Sequence, residues 1–350
     1  LNEVLGRSQW APVVFGIQSP DSGNAEILAR YGSKEQKARF LDPLLSGTIG
    51  SSFAMTEPQG GSDPTQFTCA AHREHDEWVI TGEKWFAANF AHASFVIVMV
   101  VTNPDVSVYT GSSMLLVPKG TPGMELVRSV GLFSEAAGRG SYGYLRFDHC
   151  RIPADHCLGE PGHGFEIAQS RLGRGRIHHA MRAVGRCAQA LEMMLERAVS
   201  RTTRGSLLGD KQAIQHAIAD SWIQLQQFRL QTLHAAWTVD QSGARAARAE
   251  IAGVEVALPT VVADITQRAM HLHGALGVSN EMPFGPMVTT AAILGLLDGP
   301  TEVHKSSLAR ALLKEVEPSA SGWPSEHLPE RTAAARKRFA DLLEREQANR

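Results

Sequence analysis

The chain has 350 residues, 43% of them apolar and 20% charged, the profile of a soluble globular protein with two or three packed layers. Its 34 basic and 36 acidic side chains leave a formal charge of −2, too even a balance to attract nucleic acid or an anionic membrane. The longest apolar run, Phe95 to Val101, is of strand length and falls short of the ~18 residues a membrane span needs.

Residues 1–49 predict a helical N-terminal domain. Ser33-Lys34-Glu35-Gln36 has the spacing of a capping box, and Phe40, Leu41, Leu44 and Leu45 follow as an apolar stripe. Over residues 50–158 the period changes. Trp78 to Ile80, Phe95 to Val101, Met114 to Val117, Met124 to Val127 and Tyr142 to Phe147 are short β-branched or aromatic runs. Turn residues such as Asp76, Gly82, Asn103-Pro104 and Thr121-Pro122-Gly123 punctuate them, which predicts an antiparallel β domain. Gly159-Glu160-Pro161-Gly162 reads as a hinge, and residues 159–316 then read as a helical bundle. Within it Ile214, Ile218, Trp222, Leu225, Phe228 and Thr232 share one helical face by spacing. Residues 317–350, with Pro318, Pro324 and Pro329 before a charged, alanine-rich helix, read as a peripheral tail. The predicted class is α+β, mostly α.

Met55-Thr56-Glu57-Pro58-Gln59-Gly60-Gly61-Ser62-Asp63 is the most informative stretch. It leaves a strand for a glycine-rich loop flanked by hydroxyls, a loop that lets backbone approach a flat polar ligand closely. Glycines alone would mark an ordinary tight turn; the ordered Thr-Glu-Pro and Gly-Ser-Asp are rarer.

This stretch resembles the signature of the acyl-CoA dehydrogenases, whose helix, β, helix order the chain shares. The resemblance continues at Gly82-Glu83-Lys84-Trp85-Phe86, Arg201 to Gln212 and His273-Gly274-Ala275-Leu276-Gly277, and ends near Arg310. Gly164 to Gln169, Gly175-Arg176-Ile177-His178-His179 and Asp298-Gly299-Pro300 are most similar to the branch containing human acyl-CoA dehydrogenase family members ten and eleven. It implies N-terminal helices, a middle β domain and a C-terminal four-helix bundle at the core of a homotetramer, a dimer of dimers. It also implies FAD as cofactor, an acyl-CoA substrate and an electron-transfer flavoprotein as acceptor.

Carried over by position, the resemblance puts Met55, Thr56, Gly61, Ser62 and Phe86 at the isoalloxazine, with Ser62 also toward the substrate. Arg201 and Gln212, from a neighbouring subunit, would hold the pyrophosphate and adenosine end, where an arginine fork suits phosphate oxygens, and Arg204 falls at a further flavin-contact position. His271, Ala275, Pro300 and Glu302 complete the implied FAD set. Several positions depart from the family pattern. Ala88 lacks the hydroxyl that usually faces flavin N5, Gln66 replaces a small residue, Arg204 replaces phenylalanine, and His271 and Ala275 alter the second signature.

The reaction needs a carboxylate to remove the α-proton while a β-hydride passes to flavin N5. In Leu297-Asp298-Gly299-Pro300-Thr301-Glu302 the family's base position falls on Asp298, with Gly299 at the substrate. The family's alternative base position is Gly175, which cannot serve. An aspartate before Gly-Pro also serves as a plain turn or N-cap residue. Arg171, Arg174, Arg176, His178, His179 and Arg182 make one basic helix, with Gly175, His179 and Arg182 on one face. Two readings stand: a solvated or inter-subunit ion-pairing face, or a pocket in which Arg176, His179 and Arg182 meet an acyl chain bearing hydroxyl or phosphate.

The histidine pairs His178/His179 and His271/His273 have no accompanying cysteine or carboxylate, so no metal is expected. Cys69, Cys150, Cys157 and Cys187 lack paired spacing, which fits reduced thiols and a cytoplasmic location. The chain begins at Leu1 rather than methionine, which leaves room for residues upstream. Two alternatives keep the fold and change the function: a flavin oxidase or monooxygenase, and a relative repurposed for DNA binding. The even charge balance argues against the second.

Overall fold

Ser33 and Gln36 form the reciprocal pair their spacing predicts. Ser33 Oγ accepts from the Gln36 backbone N–H and Gln36 Oε1 accepts from that of Ser33, each at 3.1 Å. The Gln36 amide then donates to the carbonyls of Asp155 and Cys157 at 2.6 and 2.8 Å, tying the helical N-terminus to the end of the sheet. This computed structural model describes residues 1–133, 135 and 140–348, without the side chain of residue 347. Before the sheet come α1 (Asn2–Gly6), α2 (Asp21–Tyr31) and several shorter helical turns up to Leu45.

Eight strands follow: β1 (Gly50–Ala54), β2 (Ala70–Glu74), β3 (Glu77–Ala87), β4 (Ala93–Val101), β5 (Ser112–Pro118), β6 (Met124–Val130), β7 (Tyr142–Pro153) and β8 (Cys157–Leu158). They order as β6-β7-β3-β2-β4-β5-β8, with β1 also paired to β4. The sheet is mainly antiparallel, as expected, with two parallel pairings in addition. β1 runs parallel to β4 over Gly50–Ala54, and β2 meets β4 parallel at Ala70 and Val101. β1 and β4 are joined through β2 and β3 rather than a hairpin, and only such a long connection permits parallel neighbours. Contrary to the prediction, Gly82 is not a turn between strands. It sits inside β3 at φ +138°, where a Cβ would come within 2.5 Å of Cys69 Cα. A glycine bulge lets β3 pass and continue to Ala87.

β4 explains its own apolar run. Val96, Val98 and Val100 face the core of Trp78, Ile80, Leu115 and Phe147, while Phe95, Ile97 and Met99 face Ile27, Leu28, Phe40 and Leu44. With both faces buried, period-two alternation disappears.

The helical domain comprises α3 (Gly164–Ser200), α4 (Gln212–Ala246), α5 (Arg248–His273), α6 (Phe284–Leu294) and α7 (Thr301–Leu313). Its core joins Val184, Leu191, Leu225, Phe228, Leu258, Ile265 and Phe284. On α4 the buried seam runs through Ser221, Leu225, Phe228, Thr232 and Ala235. Trp222, expected on that face, is 56% exposed. It stands about 100° around the helix from Ser221 and belongs to a second, outward apolar face. The tail is not one helix but two, α8 (Leu328–Arg338) and α9 (Ala340–Ala348), split at Phe339 and exposed. Among the described residues no helix is long and apolar enough to cross a membrane.

Candidate active site

The Thr-Glu-Pro loop and the end of β3 come together as one shelf. The Trp85 N–H donates to the Thr56 carbonyl at 2.8 Å, and the Ala88 N–H donates to the Phe53 carbonyl at 3.2 Å. A buried ion pair fixes this contact from below. Lys84 Nζ donates to Glu57 Oε1 at 2.7 Å and to the Met55 carbonyl at 2.9 Å. Glu57 also accepts the N–H groups of Thr68 and Cys69, so both buried charges are hydrogen-bonded. Above, Gly61 and Ser62 are exposed and Phe86 is 41% exposed, stacked on Trp85 at 5.1 Å. The surface so formed is flat, aromatic and flanked by hydroxyls. Ala88 is half-buried beside it.

Asp298 closes a second cluster. Its backbone stands at φ +55°, a left-handed conformation uncommon outside glycine. Arg176 holds it there, donating Nε and Nη2 to the Asp298 carbonyl at 3.2 and 2.6 Å. The carboxylate faces a pocket lined by Ser19, Ser22, Arg171, His179 and Arg182, with Gly175 open beside it. A Cβ at Gly175 would come 3.9 Å from Asp298 Oδ2, so glycine leaves that side of the carboxylate free. Gly299, at φ +114°, lies against His304, whose Nε2 would be 3.0 Å from an added Cβ.

On the basic helix Arg171 and Arg182 are buried and Arg176 and His179 half-buried, while His178 and Arg174 are exposed, Arg174 paired to Glu26 at 2.8 Å. Arg171 donates to Asn24 Oδ1 at 3.0 Å and lies over the Phe53 ring at 4.0 Å. Arg182 donates to the Ile17 carbonyl at 3.1 Å and to His179 Nδ1 at 3.2 Å. Burial lowers the pKa of Arg171, Arg176, His178, His179 and Arg182. It brings His179 to about 4 and Arg182 to about 10, and for Arg171, Arg176, His179 and Arg182 the charge of Asp298 pulls the other way. Asp298 is thus the anion common to the buried Arg171 and Arg182 and the half-buried Arg176.

Tyr142 connects the two clusters. Its ring meets Phe86 edge-on at 6.1 Å, and burial followed by the charges of Glu135 and Asp298 raises its hydroxyl pKa. Tyr142 thus touches the aromatic shelf and lies within electrostatic range of the Asp298 carboxylate. Tyr142, Glu255 and His304 escape the sequence reading. Glu255 alone carried a signal, a single carboxylate inside the apolar stretch Ile251 to Leu258.

Other expected positions lie elsewhere. Arg201 caps α3, Arg204 turns the hairpin of Thr202–Thr203 and Ser206–Leu207, and Gln212 opens α4; all three are exposed. His271 shares a cleft between α4 and α5 with Ile214, Ala217 and Arg268. Ala275 is exposed in the turn after α5, Pro300 precedes α7, and Glu302 is exposed in its first turn. Among the described residues, no hydrogen bond or ring contact joins Arg201, Arg204, Gln212, His271 or Ala275 to the shelf. Gly164 packs on Ser113 of the sheet, whereas Arg201 stands at the far end of the 37-residue α3. That separation is about 55 Å at helical rise.

Residues 52–150 match the acyl-CoA dehydrogenase middle domain and residues 162–313 the acyl-CoA dehydrogenase C-terminal domain. Acyl-CoA dehydrogenase family member 11 of Rattus norvegicus is 41% identical over 89% of this chain, which spans 41% of that protein. "Probable acyl-CoA dehydrogenase FadE2" of Mycobacterium tuberculosis is 41% identical, with 89% of this chain and 78% of that protein covered. The structure of butyryl-CoA dehydrogenase from Megasphaera elsdenii superposes with a TM-score of 0.79 at 27% identity, covering 89% of this chain and 80% of that one. A fold of this kind, matched over both its β and its helical domain, places the chain in the acyl-CoA dehydrogenase family.

Proposed function

We propose that the chain binds FAD and dehydrogenates an acyl-CoA thioester between its α and β carbons, with Asp298 as the base. The observation that carries this reading is that Tyr142, in ring contact with Phe86 of the shelf, also feels the charge of Asp298. The chain's residues suit a flavin. Phe86, Thr56, Gly61 and Ser62 offer a planar face and hydroxyls without a side chain intruding, and Arg201 and Gln212 offer polar groups for the pyrophosphate end. FAD, when bound, supplies the acceptor for the β-hydride.

Asp298 is the group with room beside it for an α-carbon, because Gly175 contributes no side chain there. Arg176 fixes the base through its carbonyl and leaves the carboxylate oxygens free to take a proton. The end of the substrate's acyl chain would reach the mouth of the small pocket of Arg171, His179 and Arg182, whose free volume is about 10 Å³. Arg171 and Arg182 face Asp298 as the one carboxylate lining that pocket, and a plain hydrocarbon would not satisfy the positive charge they bring. An acyl chain bearing hydroxyl or phosphate fits that charge.

The flavin site is completed by a second subunit on this reading. The length of α3 keeps Arg201 far from the shelf of its own chain. An outward apolar face of α4, with Trp222, Ile223, Leu230, Leu233 and Trp237 exposed, offers the contact surface. Electrons would leave through an electron-transfer flavoprotein. Anaerobic bleaching of the purified flavoprotein by a panel of plain, hydroxylated and phosphorylated acyl-CoAs tests the activity. Bleaching by at least one CoA thioester, with slow reoxidation by oxygen, is expected. Rapid reoxidation would mark an oxidase instead, and no bleaching by any of them would overturn the assignment.

A further inference from the structure

Oε1 of Glu255 and Nε2 of His304 are buried polar atoms without a hydrogen-bond partner, and both groups feel the Arg176 guanidinium. Glu255 is 4% exposed on α5, in a stretch where Ile251, Ala252, Val254 and Leu258 are buried. A lone carboxyl in such a setting calls for a reason. Arg176 supplies one. Two of its nitrogens hold the Asp298 carbonyl, while Nη1 makes no hydrogen bond among the described residues. One guanidinium thus holds the backbone of the base loop by hydrogen bonds and attracts, without an ion pair among the described residues, the buried Glu255 carboxyl.

We propose that Glu255 is a positioning residue for the base loop, acting through Arg176. Neutral, it leaves the guanidinium on the Asp298 carbonyl; ionised, it draws the guanidinium toward itself and releases the loop. The functional meaning rests on the reading of Asp298 as the base. A hold helps there because Asp298 keeps a left-handed backbone that is uncommon outside glycine. Burial pushes Glu255 up to about 8, Arg176 opposes the rise and the charge of Asp298 adds to it, so the neutral form prevails at neutral pH. The groups facing this triad are Arg176 on α3, Asp298 in the loop, His304 on α7, and Arg248 on the same helix as Glu255, which acts on Arg176. The charge of Asp298 accordingly disfavours the ionisation of Glu255.

Amide hydrogen exchange in the FAD-loaded protein, read over residues 296–303 and corrected for intrinsic rate, tests this at about pH 7 and about pH 9. Wild type should lose about tenfold of its protection over that interval, following the ionised fraction of a group that titrates near 8. Glu255→Gln and Glu255→Met should keep it, and using both guards against one variant folding poorly. Unchanged protection in wild type, or the same loss in either folded variant, overturns the proposal. Asp298→Asn, challenged with the acyl-CoA panel, separates the underlying reading. If it bleaches at the wild-type rate, Asp298 is no base, and the loop Glu255 governs is not a base loop.

Discussion

His179 Nε2 stands 3.7 Å from Oδ2 of Asp298 while its Nδ1 accepts a hydrogen bond from Arg182 at 3.2 Å. The accepting nitrogen carries no proton, so the neutral ring carries its hydrogen on Nε2, facing the pocket. At 3.7 Å this donor is too far to bond the carboxylate and remains available to a ligand atom. Burial, which brings His179 to about 4, keeps the ring neutral at neutral pH.

A donor and a buried cation side by side predict a preference for polar acyl chains. The flavin should bleach faster with a hydroxylated or phosphorylated acyl-CoA than with a plain one of equal length. Arg182→Leu should abolish most of that difference, of the order of tenfold for a charge-assisted hydrogen bond, while sparing plain substrates. If straight saturated chains turn over fastest in wild type, the basic face serves packing alone.

Asp298→Asn keeps the shape of the side chain and the carbonyl that Arg176 holds, and removes basicity. The variant should retain FAD and reduce it at least ~10²-fold more slowly, the scale of a lost general base. Stopped-flow anaerobic reduction with the best acyl-CoA of the panel measures this. A near wild-type rate would exclude Asp298 and turn attention to Glu255, the other carboxyl near Arg176.

The same residues show what a sequence can and cannot convey. Phe95 to Val101 is legible because burial on both faces leaves an unbroken apolar run, and Ser33 with Gln36 because capping is local. The parallel pairing of β1 with β4 is set by long-range closure, which no local period records. Trp222 misleads because an apolar residue reads the same whether it faces the core or an outer surface. Asp298 stands out through its place before Gly-Pro, whereas Tyr142 and His304 join the site only by folding. Arg171 and Arg182 could be read either as a solvated face or as pocket cations until helix α2 and the base loop covered them.

Arg201→Ala should weaken flavin retention, because a phosphate would lose a charged donor. The residue is exposed at the end of α3 with no acidic partner among the described residues, so the folded chain itself should lose little stability. Ultrafiltration of the oligomer at graded dilution gives the bound FAD fraction. Equal retention in variant and wild type, or full occupancy in a stable monomer, would exclude completion of the site across subunits.

Stability should pass through a maximum near pH 6.5. His179 and His304 both fall to about 4 through burial, from an ordinary 6.5. Between those values the unfolded chain binds protons that the folded one refuses, so stability drops as the solution is acidified from about 6.5 toward 4. His156 and His178, also lowered by burial, add to the same slope. Glu255 acts on the other side. Its folded value near 8 lies above the ordinary 4.5, so its stability contribution is complete below 4.5 and is lost as pH rises through 8. Each group changes stability by at most ~1.4 kcal/mol per pH unit. From about pH 8 to 6.5 only Glu255 changes, and stability rises on acidification; below 6.5 the histidines outweigh it. Denaturant midpoints of the FAD-loaded protein across this range trace the curve. Glu255→Gln should flatten the alkaline limb and leave the acid limb in place, while a paired His179→Asn and His304→Asn change should flatten the acid limb. A variant curve parallel to wild type on its own limb would show that these buried groups titrate as they do in water.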